Sequence, residues 1–179
     1  MKSFKNIATS ISAFLMILPL FSFAEDEIGT VLITGSNRGI GLEFTKQYLE
    51  LGWTVIATAR KPEKAEDLEQ LRIQYPEHLS IHQLDVTDNE RIDGLAKELE
   101  DQPIDLLLNN AGISGYIPDQ IFGRLDYDSF EQVLSVNTVA PLKMAEAFYT
   151  HIKSSNLKKI VSVSSSEGSI GGAYDDESG

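Results

Sequence analysis

A chain of 179 residues with 42% hydrophobic content has enough apolar material to bury one core and is short for two, so a single domain is expected. Its formal charge of −12 argues against nucleic acid and anionic membrane as electrostatic partners, because a polyanion would repel it. The absence of Cys excludes disulfides, thiolate catalysis and Cys-based metal sites.

Residues 1–24 stand apart from the rest, with Lys2 and Lys5 as their only charges and the apolar run ISAFLMILPLFSFA over residues 11–24. A basic start, an apolar middle and the small residues Ser22 and Ala24 read as a secretory signal cleaved after Ala24, which predicts an exported protein, periplasmic or secreted. An uncleaved membrane anchor is the rival, since uncharged residues 6–24 nearly reach the ~20 needed to span a bilayer. A start codon set too early, leaving a cytoplasmic protein, is the third reading. The remaining residues, 25–179, form the expected domain.

From Thr30 onward short β-branched runs alternate with helical spacing. Strands are predicted over residues 30–34, 54–58, 80–84, 104–108 and 159–164. Apolar residues recur at helical intervals between them: Ile40, Phe44 and Tyr48; Leu68 and Leu71; Ile92, Leu95 and Leu99; Phe130, Val133 and Leu134. A long helix is expected to run from Phe130 to Ile152. This alternation predicts an α/β fold of repeated βαβ units, a doubly wound parallel sheet whose four crossovers are right-handed. Residues 168–179, rich in Gly, Ser and Asp, read as loop.

The first predicted strand runs into TGSNRGIG over residues 34–41. A glycine-rich turn between a strand and a helix suits phosphate binding, because the helix N-terminus offers unpaired N–H donors and partial positive charge. Gly35 permits the tight turn, while Gly39 and Gly41 remove side chains that would keep a pyrophosphate from the backbone or the helix from the sheet. Plain turn chemistry is the alternative. Further on come LDVTD around Asp85, NNAG over residues 109–112, Asn137 within SVNTVAP and Ser165 within VSVSSSEG.

Taken together and in this order, these motifs resemble the classical short-chain dehydrogenase/reductases. ATAR over residues 57–60 and KIVSVSSSEGSI over residues 159–170 are most similar to the carbonyl-reductase and C-factor-like members. The resemblance covers residues 30–172 and implies a Rossmann sheet in the order 3-2-1-4-5. Extended epimerases and dehydratases of the superfamily expect TGxxGxxG, and the spacing here counts against them. The implied substrate is a small carbonyl or alcohol compound, and the implied full-length parent is a homo-oligomer. Ser36, Arg38 and Ile40 would join the three loop glycines at the cofactor. Asp85 and Val86 would border the adenine, and Asn110, Ala111 and Gly112 the adjacent ribose. Asp85 as a residue near a helix N-cap, and NNAG as an ordinary turn, remain open.

Cofactor choice in dinucleotide folds turns on the end of the second strand, where a carboxylate binds a ribose 2′-hydroxyl and Arg accommodates a 2′-phosphate. Here that position reads Thr58, Ala59, Arg60, Lys61, with no carboxylate before Glu63, and Arg38 sits inside the glycine loop. Two guanidinium groups favour NADP, with NAD as the alternative. Arg60 as a solvated surface residue and Arg38 as a helix-start residue facing water are the plainer readings.

In this family a Ser polarises the carbonyl, a Tyr donates the proton, a Lys four residues later lowers its pKa, and an Asn extends a proton relay. Ser165 matches the Ser, with Ser164 and Ser166 as neighbours that leave the register open by one position. Asn137 matches the Asn, the alternative being a polar residue serving a helix distortion near Pro141. After Ser165 the only Tyr is Tyr174, and neither Lys nor Arg follows. Tyr149 and Lys153 have the spacing but precede the Ser, and lie ~18 Å along a helix from Asn137 at 1.5 Å per residue. The expectation is therefore an NADP(H)-dependent oxidoreductase cut short before its Tyr–Lys pair and inactive as it stands. It should also leave apolar surface uncovered on the fifth strand and the long helix. A non-catalytic nucleotide-binding or signalling protein derived from the family is the second expectation. No metal is implied.

Overall fold

The computed structural model describes residues 28–116 and 120–165. The segment read as a signal or anchor lies outside them, as do Ser166 and Tyr174. Among the described residues no helix is long and apolar enough to cross a membrane.

Five strands form one parallel sheet in the order β3-β2-β1-β4-β5: β1 is Thr30–Ile33, β2 Thr54–Ala59, β3 Leu79–Gln83, β4 Leu106–Asn109 and β5 Lys159–Ser162. The order is the one expected, and each strand lies within one or two residues of its predicted place. Alternate side chains of the central strands enter two separate cores. On one face Val31, Ile33, Val55, Ala57, Leu106 and Leu108 pack with Leu49 of helix α1 (Gly39–Glu50) and Leu68 of α2 (Glu66–Gln74). On the other, Leu32, Ile56 and Leu107 meet Ile92 and Leu95 of α3 (Asn89–Glu98), Met144 of α5 (Ala140–Ala147) and Ile152 of α6 (Tyr149–Ser154). Each fully buried Leu or Ile contributes about 1.5–3 kcal/mol of transfer free energy, so these two layers hold the sheet.

The stripe predicted for α1 is displaced by one position. The buried residues are Gly41, Thr45 and Leu49, while Ile40 is 62% exposed. Small residues let the helix lie close to the sheet, and Thr45 bonds back along the helix to Gly41 O at 2.9 Å. The expected long helix is also broken. Helix α4 (Tyr127–Leu134) passes into a π-helical turn at Ser135–Val139 before α5 begins. Ala140 N–H bonds Ser135 O, five residues back, because Pro141 has no N–H for Asn137 O and its ring crowds that carbonyl.

At the N-terminal edge of the sheet one carboxylate joins three strands. Asp105 Oδ2 accepts from Thr30 N at 2.9 Å, and Oδ1 accepts from Asn156 N and Leu157 N at 3.0 and 3.2 Å. Gly29 makes room for it, since a Cβ there would stand 2.8 Å from Asp105 Oδ2. At the outer edge, Ile160 and Val161 of β5 are 46% and 43% exposed.

Candidate functional site

The C-terminal ends of β1 and β4 are the point where the strand order changes direction, which opens a crevice above the sheet. The glycine loop crosses it. Thr34, buried at the end of β1, accepts from Asn110 N and Ala111 N through one hydroxyl, both at 3.0 Å. Asn110 answers with its amide, Nδ2 donating to Thr34 O at 3.0 Å and Gly35 O at 3.2 Å. Gly35 adopts φ 69°, and a Cβ on it would stand 3.0 Å from Ala111 Cα. Both motifs are thereby locked to one another before any ligand arrives.

Between them lies a cavity of ≈ 340 Å³, lined among others by Gly35, Arg38, Gly39, Ile40, Gly41, Arg60, Asp85, Val86, Asn110, Ala111 and Gly112. Eleven of the twelve residues expected at the cofactor thus face one space. Ser36, the twelfth, lies beneath the loop instead. It is wholly buried, its hydroxyl donating to Ile33 O at 2.9 Å and accepting from Thr58 N at 3.3 Å. Asn37, Ala59, Leu84, Ile113 and Val136 also line the cavity and were not picked out in the sequence. Asn37 stood inside the glycine motif and carried a signal; the apolar ones carried none.

The N-terminus of α1 points into this cavity without a cap. Its N-cap position is Arg38, extended and making no side-chain bond to the helix, and its first turn holds no carboxylate. Helices α3 and α4, by contrast, are closed by Asp88, accepting from Arg91 N, and by Asp126, accepting from Asp128 N and Ser129 N. The open end leaves N–H donors and partial positive charge where a dinucleotide's phosphates would sit.

A second hollow of ≈ 720 Å³ continues from the first, sharing Asn37, Arg38, Arg60 and Asp85 and adding Lys61, Lys64, Gln83, Asp88 and Arg91. Among the described residues Arg38, Arg60, Lys61 and Lys64 form no ion pair. Both carboxylates in the hollow are engaged locally. Asp85 Oδ1 accepts from Thr87 N at 3.0 Å and Thr87 Oγ1 at 2.7 Å, and Asp88 caps α3. The balance is cationic, and the donor set suits a phosphate dianion.

Asn137 sits in the π-turn, where its amide closes on the backbone of Ile113. Oδ1 accepts from Ile113 N at 2.9 Å and Nδ2 donates to Ile113 O at 2.7 Å. This fixes the strand-to-helix loop beside Gly112. Ser164 and Ser165 are exposed just beyond β5, at the same end of the sheet as the cavity. Neither Asn137 nor Ser165 lines it. Tyr149 and Lys153 lie on α6, whose His151 O accepts from Ile104 N at 3.2 Å before β4 begins, so they belong to the opposite end of the sheet. There Lys153 Nζ stands 6.0 Å from the Tyr149 ring centre.

A family profile described as short chain dehydrogenase matches residues 29–174. The (+)-neomenthol dehydrogenase of Arabidopsis thaliana is 34% identical over 168 residues, covering 82% of this chain and 57% of that protein. Among solved structures, a short-chain dehydrogenase/reductase from Burkholderia multivorans with bound NADP shares 31% identity at a TM-score of 0.72, covering 85% of this chain and 64% of that one. A carbonyl reductase from Pseudomonas aeruginosa PAO1 in complex with NADP shares 27% identity at a TM-score of 0.73, covering 83% and 64%. The chain spans 57%, 60% and 50% of the length of three curated relatives it matches.

Proposed function

The chain belongs to the short-chain dehydrogenase family, whose cofactor is NAD(P), and on that premise we propose that it is built to bind NADP(H) for the reduction of a carbonyl or oxidation of an alcohol. The observation that carries this reading is the continuity of the two hollows. An uncapped helix end and a glycine loop open directly onto Arg38 and Arg60, with no carboxylate at the end of β2. When bound, NADP(H) supplies or accepts the hydride. The chain's own residues hold and orient it: the amides of α1's first turn take the pyrophosphate, and Asp85 and Val86 border the adenine. Asn110 to Gly112 line the ribose, and Arg38 and Arg60 take the 2′-phosphate. The NADP-bound structures to which the chain is similar support this reading.

On the proton side, Ser165 is suited to donate to the carbonyl oxygen. Asn137, with both halves of its amide on Ile113, serves as a positioning residue. The one Tyr–Lys pair of the required spacing lies at the far end of the sheet, so this chain of 179 residues is proposed to bind the dinucleotide with little turnover of its own. Titration with NADPH and NADH, followed by nicotinamide fluorescence, tests the reading. NADPH should bind on the order of tenfold tighter, the worth of one good charge-assisted contact. Equal or tighter NADH binding overturns the NADP assignment, and binding of neither overturns the reading.

A further inference from the structure

We propose that Gln83 and Arg91, on β3 and α3 and outside the glycine loop, are positioning residues for Arg60, and through it set the preference for a dinucleotide bearing a 2′-phosphate over one with a free 2′-hydroxyl. The inference rests on the dinucleotide reading above. Arg60 follows β2 directly, and its side chain has no ion pair among the described residues to hold it. A long cation without a partner spreads over many rotamers, and an anchored backbone narrows the space its guanidinium can reach.

That fixing comes from the neighbouring strand. Gln83 pairs in register with Ala59, and its side-chain Nε2 donates to Arg60 O at 3.3 Å, one residue past the ladder. Gln83 is itself held from behind, since Arg91 Nε donates to Gln83 O at 2.9 Å. Arg91 is fastened at two further points. Its Nη1 and Nη2 meet the two oxygens of Glu98 at 2.6 and 3.2 Å, and its backbone N–H is taken by Asp88 Oδ1 at 2.9 Å. The contacts run from Glu98 through Arg91 and Gln83 to Arg60, and the last three line the cationic hollow. With its charge matched by Glu98, Arg91 brings little net field to that hollow. What it brings is geometry that a planar fork of donors provides and a point charge does not.

The test uses the full chain and three variants, Gln83→Met, Arg91→Lys and Arg91→Met. NADPH and NADH dissociation constants are read by nicotinamide fluorescence, and Tm by circular dichroism. The ratio of the NADH constant to the NADPH constant should fall about threefold in Gln83→Met, part of the preference, with the NADH constant unchanged. Arg91→Lys keeps the charge and should lose as much of the ratio as Arg91→Met. The proposal is overturned by parental ratios in the variants, by rescue in Arg91→Lys, which would make charge the cause, or by equal loss of both nucleotides. A parent chain that binds neither nucleotide overturns the dinucleotide reading itself, and this inference with it.

Discussion

A Cβ placed on Gly41 would press into Gly35 O and Asn110 Nδ2, well inside van der Waals contact. Both neighbours belong to the lock between the two motifs, so neither moves without opening the cavity floor. Gly41→Ala should therefore cost about 2–3 kcal/mol in urea unfolding and abolish nucleotide binding together. Gly94, also helical, is the control. A Cβ there meets only Arg91 Nη1 at 3.4 Å, and Gly94→Ala should be stabilising by roughly 0.5–1 kcal/mol, as removal of an interior helix glycine usually is. An unchanged Gly41→Ala protein would mean that the lock is slack. At this scale the sequence is legible where spacing matters and silent where depth does. The glycines announced a cradle, and the resemblance also sets Ser36, next to Gly35, at the cofactor. Only the approach of β2 shows its hydroxyl bonded to Ile33 O and Thr58 N.

Among the elements, the parallel strands depend on a side chain that belongs to none of them. Asp105 carries the N–H groups of Thr30, Asn156 and Leu157, and Asp105→Ala would leave all three without an acceptor. With Asn156 exposed and able to turn to water, the cost should be about 2 kcal/mol in chemical denaturation, with nucleotide affinity unchanged because the cavity lies at the other end of the sheet. A fall in affinity at constant fold would contradict that separation. The strands were legible from their β-branched runs, the central ones burying alternate residues in two apolar layers, while their order followed from the family resemblance. The spacing predicts one helix from Phe130 to Ile152, and the distortion that Pro141 allows there is the π-turn that holds Asn137. The bond from Asn137 to Ile113 was not legible, because its partner is 24 residues away and is backbone.

For the molecule as a whole, the charge of −12 and the cationic hollow at one sheet end coexist because the acidic residues are distributed elsewhere or engaged in local turns. Global stability should depend on pH through the cluster beside that hollow. His82 is held below its usual 6.5 chiefly by burial, with Glu98 opposing and Arg91 adding to the effect. Glu98 is held below its usual 4.5 chiefly by its hydrogen bond to Arg91. In both cases the folded chain binds fewer protons than the unfolded one. Stability is thus complete above 6.5 and declines as pH falls, first through the His82 window and then, below 4.5, through that of Glu98. Tm measured between about pH 8 and pH 5 should show the first step, and His82→Gln should remove it. A variant with the parental slope would place the effect elsewhere.

The uncapped start of α1 has a consequence for the protein's lifetime. Two other helices are closed by their own aspartates, but this one has neither a side-chain cap nor a carboxylate in its first turn. An anion that fills it binds the folded chain alone, and by mass action adds about 2.7 kcal/mol when present at a hundred times its dissociation constant. Without such an anion, a larger fraction of molecules is open to proteases at any moment. The fraction of this chain exposed to proteases should then fall as its ligand is supplied.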